Sequence, residues 1–368
     1  MQAIAIVPGQ PGSIHRRQHP RPRLEDVPDG TGVRVRLIRA GLCGTDADLA
    51  AGEYGRAPEG DDYLVLGHES LGRVHELGPV VPASDGITPG QLVVVTIRRR
   101  GTSAYDDRGR PDLSTDAVFT ETGISRAHGF MTEEVVAAAE YLVPVPDGLE
   151  PVAILTEPLS CVTKALRQAD QVQTRLGAWA PRRALVLGAS TIGLLATLVL
   201  RLRGLEVDTV GRRPRGAGNS ALVAAIGGRY VSAADAGFGT PEHEAAYDIV
   251  FEGSGDPTLL EPAVAALAPN GVLAAFSVTP GSRRVSVDVA RLNQALVLYN
   301  RVIVGSAAAA WDDYASAVHT LAQAEAEPAT RGWLAQLLTG RIQGLDAEAI
   351  AAHLAGGAGG IKTTVELG

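Results

Sequence analysis

Two short glycine-flanked clusters near the start of the chain carry side chains that bind metals. They are Gly41-Leu42-Cys43-Gly44-Thr45-Asp46 and Leu66-Gly67-His68-Glu69. A thiolate, an imidazole and a carboxylate form a mixed sulfur, nitrogen and oxygen set suited to a catalytic zinc that keeps one position open for substrate or water. Each residue alone has a plainer reading, since a lone cysteine packs a core and a lone histidine hydrogen-bonds in a turn. A third polar segment, Thr156-Glu157-Pro158-Leu159, stands where the texture of the chain changes. Glu157 is expected to reach the same site, either as a direct ligand or through water. Asp46 and Asp48 are read as structural or solvated.

A second chemistry lies further on. Gly188-Ala189-Ser190-Thr191-Ile192-Gly193 sits between an apolar strand pattern and an Ala/Leu-rich helix pattern. A dinucleotide pyrophosphate meets helix N-terminal amides at such a turn. The usual middle glycine is replaced by Ser190, whose hydroxyl can donate to phosphate; a simple packing turn is the alternative. At the end of the next strand the chain reads Val210-Gly211-Arg212-Arg213-Pro214-Arg215, with no carboxylate to bind a ribose diol. Arg212 and Arg213 can fork onto a 2′-phosphate, which a carboxylate would repel. NADP preference is the expectation, with a solvated basic turn as the bland alternative.

The elements that must hold these residues divide the chain. Residues 1–157 carry short β-type runs, including 33–38, 71–74 and 92–95, separated by turns such as Pro89-Gly90; this suggests a partly barrel-like β domain. Residues 158–298 alternate apolar strands (184–187, 206–210, 247–251, 271–276) with helical stretches, the pattern of a doubly wound parallel sheet. Residues 299–368 mix helix (314–324, 346–354) with a strand near 362–367, and are expected to complete the first domain. The predicted class is thus α/β, a catalytic β domain plus a Rossmann cofactor domain.

Composition narrows the function. The 368 residues have a net charge of −8 and contain two cysteines. The acidic balance argues against a broad nucleic-acid-binding face, leaving clusters such as Arg98-Arg99-Arg100 as local anion sites. Two cysteines make no disulfide framework, and a reducing, cytoplasmic setting is the simpler reading. The most apolar run, 184–200, is interrupted at Gly188-Ala189-Ser190-Thr191, so it reads as strand, turn and helix rather than a membrane span.

Taken together, the clusters resemble the zinc-containing medium-chain dehydrogenase/reductase family, and within it the archaeal-type glucose dehydrogenase branch. Further carriers of the likeness are Gly52-Glu53-Tyr54-Gly55, His128-Gly129-Phe130-Met131, Gly211-Arg212-Arg213, Glu252-Gly253-Ser254-Gly255, Asn270-Gly271-Val272, Asn300-Arg301 and Val304-Gly305-Ser306. The resemblance implies a GroES-like catalytic domain and zinc on Cys43, His68 and Glu69, with Glu157 beside or on the metal. It implies Thr45 as the hydroxyl that passes a substrate proton outward, and Ser254, Ser277 and Asn300 as further cofactor contacts. The implied reaction moves hydride between NADP and the secondary alcohol or carbonyl of a small polyhydroxylated substrate. A homodimer or homotetramer is implied as well.

The chain also departs from that pattern. Residues 98–121 match a lobe that usually holds a second, structural zinc on four cysteines, and here there is none. One zinc per chain is expected. Asp106, Asp107, Asp112 and Asp116 are read as a solvated acidic loop, held by packing or by a neighbouring subunit. Glu121 matches a position that faces substrate hydroxyls, with a surface carboxylate as the alternative. Cys161 and Ala308 stand where sugar-oxidising relatives carry polar groups, which points to a modified sugar, aminosugar, cyclitol or nucleoside-type alcohol rather than glucose. Two rival readings remain open: a zinc-independent quinone or enoyl reductase, and a non-catalytic dinucleotide-binding protein.

Overall fold

Alternating Val-Arg-Val-Arg-Leu residues make 32–42 a strand whose inward side chains Val33, Val35 and Leu37 are buried, the period-two pattern of a sheet with one covered face. This long strand, Gly32–Leu42, organises the first of two compact units. The computed structural model describes residues 1–81, 86–216, 218–235, 245–279, 283–356 and 360–368. Unit one comprises 1–160, 308–322 and 334–368; unit two comprises 161–307 and 323–333.

In unit one, Gly32–Leu42 pairs antiparallel with Glu69–Leu77 on one side. On the other side it pairs with Glu134–Ala138 along one half and Lys362–Glu366 along the other. The sheet continues from Glu69–Leu77 through Leu92–Val95 to Leu142–Pro144, and from Lys362–Glu366 to Leu338–Gln343. A smaller sheet runs His15–Gln18, Gln2–Ile6, Leu64–Val65. One apolar cluster joins Val33, Val35, Leu37, Val93, Val95 and Phe130; another joins Ile4, Ile6, Leu42, Leu64, Leu66, Met131 and Val365. The second cluster lies under both candidate ligand segments.

In unit two we label the strands β1 (Arg183–Leu187), β2 (Glu206–Gly211), β3 (Arg229–Ser232), β4 (Tyr247–Glu252), β5 (Leu267–Ala275) and β6 (Val302–Gly305). All pair in parallel, in the order 3-2-1-4-5-6. The order reverses direction beside β1, which leaves the crevice at strand C-termini where doubly wound sheets bind ligands. The helices are α1 (Thr191–Leu202), α2 (Gly218–Ala225), α3 (Leu260–Ala266) and α4 (Val289–Leu298). α1 buries Gly193 through Leu200 without a break, because it packs in the middle of the unit. The α/β class and doubly wound sheet are those expected from the pattern. Among the described residues no helix is long and apolar enough to cross a membrane.

Candidate active site

Cys43 ends the long strand and caps the helix Gly44–Ala50: its Sγ accepts from the Thr45 amide at 3.3 Å, and Asp46 accepts from the Cys43 amide at 3.0 Å. His68 and Glu69 open the neighbouring strand after Gly67, whose φ of +92° suits glycine and whose absent side chain leaves room for Met131. The register of these strands brings the three residues together. Cys43 Sγ lies 3.0 Å from His68 Nε2, and one ligand atom from each of Cys43, His68 and Glu69 fits within 4.8 Å of the others. Gly41 leaves the space that the Glu69 carboxylate fills.

Charge is arranged around this cluster. Glu69 is fully buried; its Oε1 is ion-paired with Lys362, and its Oε2 has no hydrogen-bond partner. Lys362 also donates to the Leu42 carbonyl at 3.0 Å. Burial works to discharge this ammonium, but Glu69 and Cys43 outweigh it and hold its pKa above the ordinary lysine value. Asp46 Oδ1 stands 3.5 Å from His68 Nδ1 and backs the ring on the side away from Cys43. Asp46 is therefore structural, as expected. A buried, unpartnered carboxylate oxygen beside a thiol and an imidazole is the donor set a zinc ion requires. Glu157 is buried at the start of the helix Thr156–Gln173, near enough to Lys362 to stabilise its charge, and stands outside the three-atom cluster.

The strand leading into His68 is pinned from behind. The Val65 amide donates to His128 Nδ1 at 3.1 Å, while His128 Nε2 meets Asp61 at 2.9 Å. A ring that accepts at Nδ1 carries its proton on Nε2. Tyr63 stacks on His128 with centroids 4.7 Å apart, and His19 meets it edge-on at the same separation.

One expectation for the 98–121 lobe changes, and one alternative reading falls. Asp106 and Asp112 are buried, so this is not a solvated acidic loop. Asp106 accepts from the Gly101 and Ser103 amides and from the Ser103 and Ser114 hydroxyls; Asp116 accepts from the Thr102 amide; Arg110 chelates Asp112. Carboxylates satisfied by local donors take the structural place that cysteines and a metal would occupy. Glu121 is no surface carboxylate either. It is buried in an ion pair with Arg98 at 2.9 Å, and the guanidinium lies 4.2 Å from the Phe119 ring. Arg100 pairs with Asp107 inside the lobe and Arg99 stacks on Tyr141 outside it, so the arginine run is engaged by protein groups. Cys161 is buried in unit two, and Ala308, in unit one, has a left-handed φ of +54°.

In unit two the turn between β1 and α1 is closely packed. Gly188 has φ +103°, and a side chain there would press on the Gly253 carbonyl; one at Gly193 would overlap the Gly188 carbonyl. Ser190 is the N-cap of α1, but its hydroxyl caps no amide, and Thr191 and Ile192 form the first turn beside it. β2 ends at Gly211, where a Cβ would come 2.9 Å from Ala189 Cβ and into Tyr230. Arg212 and Arg213 follow, both exposed. Ser254 is engaged internally, its amide and hydroxyl both donating to Glu252. Ser277 donates its amide to the Glu252 carbonyl at 3.3 Å, and Asn300 accepts from Arg175 at 2.8 Å. Sequence reasoning missed Lys362, the pairing of Arg98 with Glu121 and the role of His128. Only the last carries a local signal, as the first residue of His128-Gly129-Phe130-Met131.

The sequence comparisons agree with this geometry. Residues 29–147 match the alcohol dehydrogenase GroES-like domain, and residues 150–367 match the glucose dehydrogenase C-terminus. Glucose 1-dehydrogenase 1 of Caldivirga maquilingensis is 38% identical over 341 residues, covering 93% of this chain and 92% of the relative. Glucose 1-dehydrogenase of Methanocella arvoryzae is 39% identical over 313 residues, 83% of this chain and 84% of the relative. Among solved structures, Haloferax mediterranei glucose dehydrogenase in complex with NADP, Zn and gluconolactone superposes with a TM-score of 0.87 at 30% identity, covering 100% of this chain and 99% of that one. The chain therefore belongs to the zinc-containing medium-chain dehydrogenase/reductase family, on the branch of the archaeal-type glucose 1-dehydrogenases.

Proposed function

We propose that this protein is a zinc-dependent oxidoreductase that moves hydride between NADP and a secondary alcohol or carbonyl of a small sugar-like substrate. The observation that carries the reading is the buried cluster of Cys43, His68 and Glu69 with an unpartnered Glu69 oxygen. These three residues hold one zinc per chain, with Glu157 close by as a further ligand or water-mediated contact. When bound, zinc supplies Lewis acidity toward an alcohol or carbonyl oxygen. Asp46 orients His68, Lys362 fixes one Glu69 oxygen and leaves the other for the metal, and Thr45 passes the substrate proton outward. Residues 1–160, 308–322 and 334–368 serve catalysis, and 161–307 with 323–333, a unit that runs past the expected boundary at 298 to include β6, hold the nicotinamide cofactor.

For the cofactor, the Gly188–Gly193 turn takes the pyrophosphate, and Arg212 and Arg213 select the 2′-phosphate. The crowding at Gly211 supports this, since it leaves no room there for the carboxylate that would bind a ribose diol. Ser254, Ser277 and Asn300 contribute at the nicotinamide and ribose end chiefly through backbone placed by internal hydrogen bonds.

For the substrate, Glu121 faces hydroxyl groups with Arg98 holding one of its oxygens. Ala308 and Cys161 offer no polar side chain of the kind that recognises plain glucose, which favours an aminosugar, cyclitol or nucleoside-type alcohol. A homodimer formed on the β6 edge explains α4, which buries none of its residues and exposes Val289, Val297 and Leu298. Two cysteines outside any disulfide suit a cytoplasmic setting.

The test combines metal analysis with turnover on an alcohol and carbonyl panel, using NADP and NAD. One zinc per chain, lost together with activity in Cys43→Ser and His68→Ala, is the expected result. Full activity in zinc-free protein, or equal efficiency with NAD, would overturn the respective part.

A further inference from the structure

The tip of β2 and the glycine turn are joined by a residue that no motif marks. Asn219, in the first turn of α2, is buried to 9% exposure. Its Nδ2 donates to the Ala189 carbonyl at 2.5 Å, within the Gly188–Gly193 turn. Its Oδ1 lies 3.5 Å from Arg213 Nη1. The same stretch is tied down twice more: Tyr230 donates its hydroxyl to the Arg213 carbonyl at 2.8 Å, and the Gly216 amide donates to Ser220 Oγ at 2.9 Å.

We infer that Asn219 is a specificity-determining clamp, a neutral side chain that holds the pyrophosphate turn and the phosphate-selecting arginine at a set spacing. The inference rests on the NADP reading above and deepens it. A carboxamide can do this where other side chains cannot. Its amide nitrogen is needed as donor to a carbonyl, and its oxygen orients the guanidinium while leaving the positive charge intact for the ligand. A carboxylate in the same place would neutralise Arg213, repel a 2′-phosphate and lose the donor to Ala189. An alanine would free the Ala189 carbonyl and remove the oxygen that faces the Arg213 guanidinium. Asn219 touches the turn through its backbone carbonyl and Arg213 through its guanidinium, so it acts on the cofactor through both and is a positioning residue.

The experiment measures dissociation constants of NADP, NAD, 2′,5′-ADP and 5′-AMP for the purified full-length protein, for Asn219→Ala, Asn219→Ser, Asn219→Asp and Arg213→Ala, with thermal melting as a folding control. Asn219→Ala should weaken NADP and 2′,5′-ADP by about fivefold, the scale of one ordinary hydrogen bond, and leave NAD and 5′-AMP within about twofold. Asn219→Asp should narrow the NADP-over-NAD preference further than alanine does. An unchanged preference in the Asn219 variants, or equal weakening of NADP and NAD at an unchanged melting temperature, overturns the clamp. Asn219→Ser settles the matter in the same way should the alanine variant fold poorly. The native protein and Arg213→Ala separate the two layers: a native protein that binds NAD as tightly as NADP defeats the NADP reading, whereas a collapse of the preference confined to Arg213→Ala refutes the clamp alone.

Discussion

Replacing Asp106 with alanine removes the hub of the 98–121 lobe. In the native chain its carboxylate accepts from the Gly101 amide at 2.8 Å, the Ser103 amide at 3.0 Å, the Ser103 hydroxyl at 2.6 Å and the Ser114 hydroxyl at 2.7 Å. The two hydroxyls can rotate to other acceptors, whereas the two amides cannot turn. The Ser103 amide is buried and the Gly101 amide only partly so; a buried amide left without an acceptor costs about 1–3 kcal/mol, so Asp106→Ala should cost roughly 3 kcal/mol. The flanking pairs Arg100–Asp107 and Arg110–Asp112 survive, so the cost should appear as local opening of the lobe. A change of that size raises the open population by about 100-fold, and trypsin cleavage at Arg100 and Arg108 should accelerate to match. The native carboxylate also predicts a pH response. Burial pushes its pKa up, but hydrogen bonds from Ser103, Gly101 and Ser114 outweigh burial and hold it at about 2, below its ordinary value of 3.8. Its stabilisation is thus complete above about pH 4 and is lost as the pH falls through about 2. Cleavage of the native lobe should be unaffected by chelator. Unchanged cleavage in Asp106→Ala, or accelerated cleavage of the native protein in EDTA, would refute the carboxylate-for-metal account.

Lys362→Met should leave the Glu69 carboxylate buried without its counter-charge and lower stability by about 3–5 kcal/mol in urea unfolding; a loss under 1 kcal/mol would mean the pair is not buried in solution. Gly41→Ala places a methyl group where the Glu69 carboxylate lies, so zinc affinity in a chelator competition should fall about 10–100-fold while circular dichroism is unchanged. Ala308→Asn should stabilise the protein by about 0.5–1 kcal/mol, because asparagine tolerates the left-handed conformation that alanine is forced into there; a lower melting temperature would contradict the backbone geometry. His19 has its pKa lowered from 6.5 to about 4 by burial, then by His128. The unfolded chain therefore takes up that proton first, and stability should be full above pH 6.5 and decline as the pH falls toward 4. Urea midpoints should show this slope in the native protein and a shallower one in His19→Asn.

Much of the site was readable because its signals are local. Cys43 and the His68-Glu69 pair each stand in a short glycine-flanked run, and the 188–193 run lies between a strand pattern and a helix pattern. The strands of unit two were visible as apolar runs because both faces of a parallel sheet are covered. The lobe was misjudged for a physical reason: four aspartates in a polar loop suggest solvent, and only folding shows that amides and hydroxyls turn inward to meet Asp106. Glu121 was similarly ambiguous, because an exposed carboxylate and one paired with Arg98 look alike in a list of residues.

What the sequence determined by itself was the identity of the reactive groups, the elements that carry them and the charge at the tip of β2. What only the tertiary structure decided was which charge faces which. Lys362 lies 293 residues from Glu69 and reaches it because Thr363 pairs with Leu42 in the sheet register, one step before Cys43. A slip of one residue would turn that ammonium to the other face. Periodicity and turn geometry are set by neighbours along the chain, whereas the partner of a buried charge is set by register between distant strands.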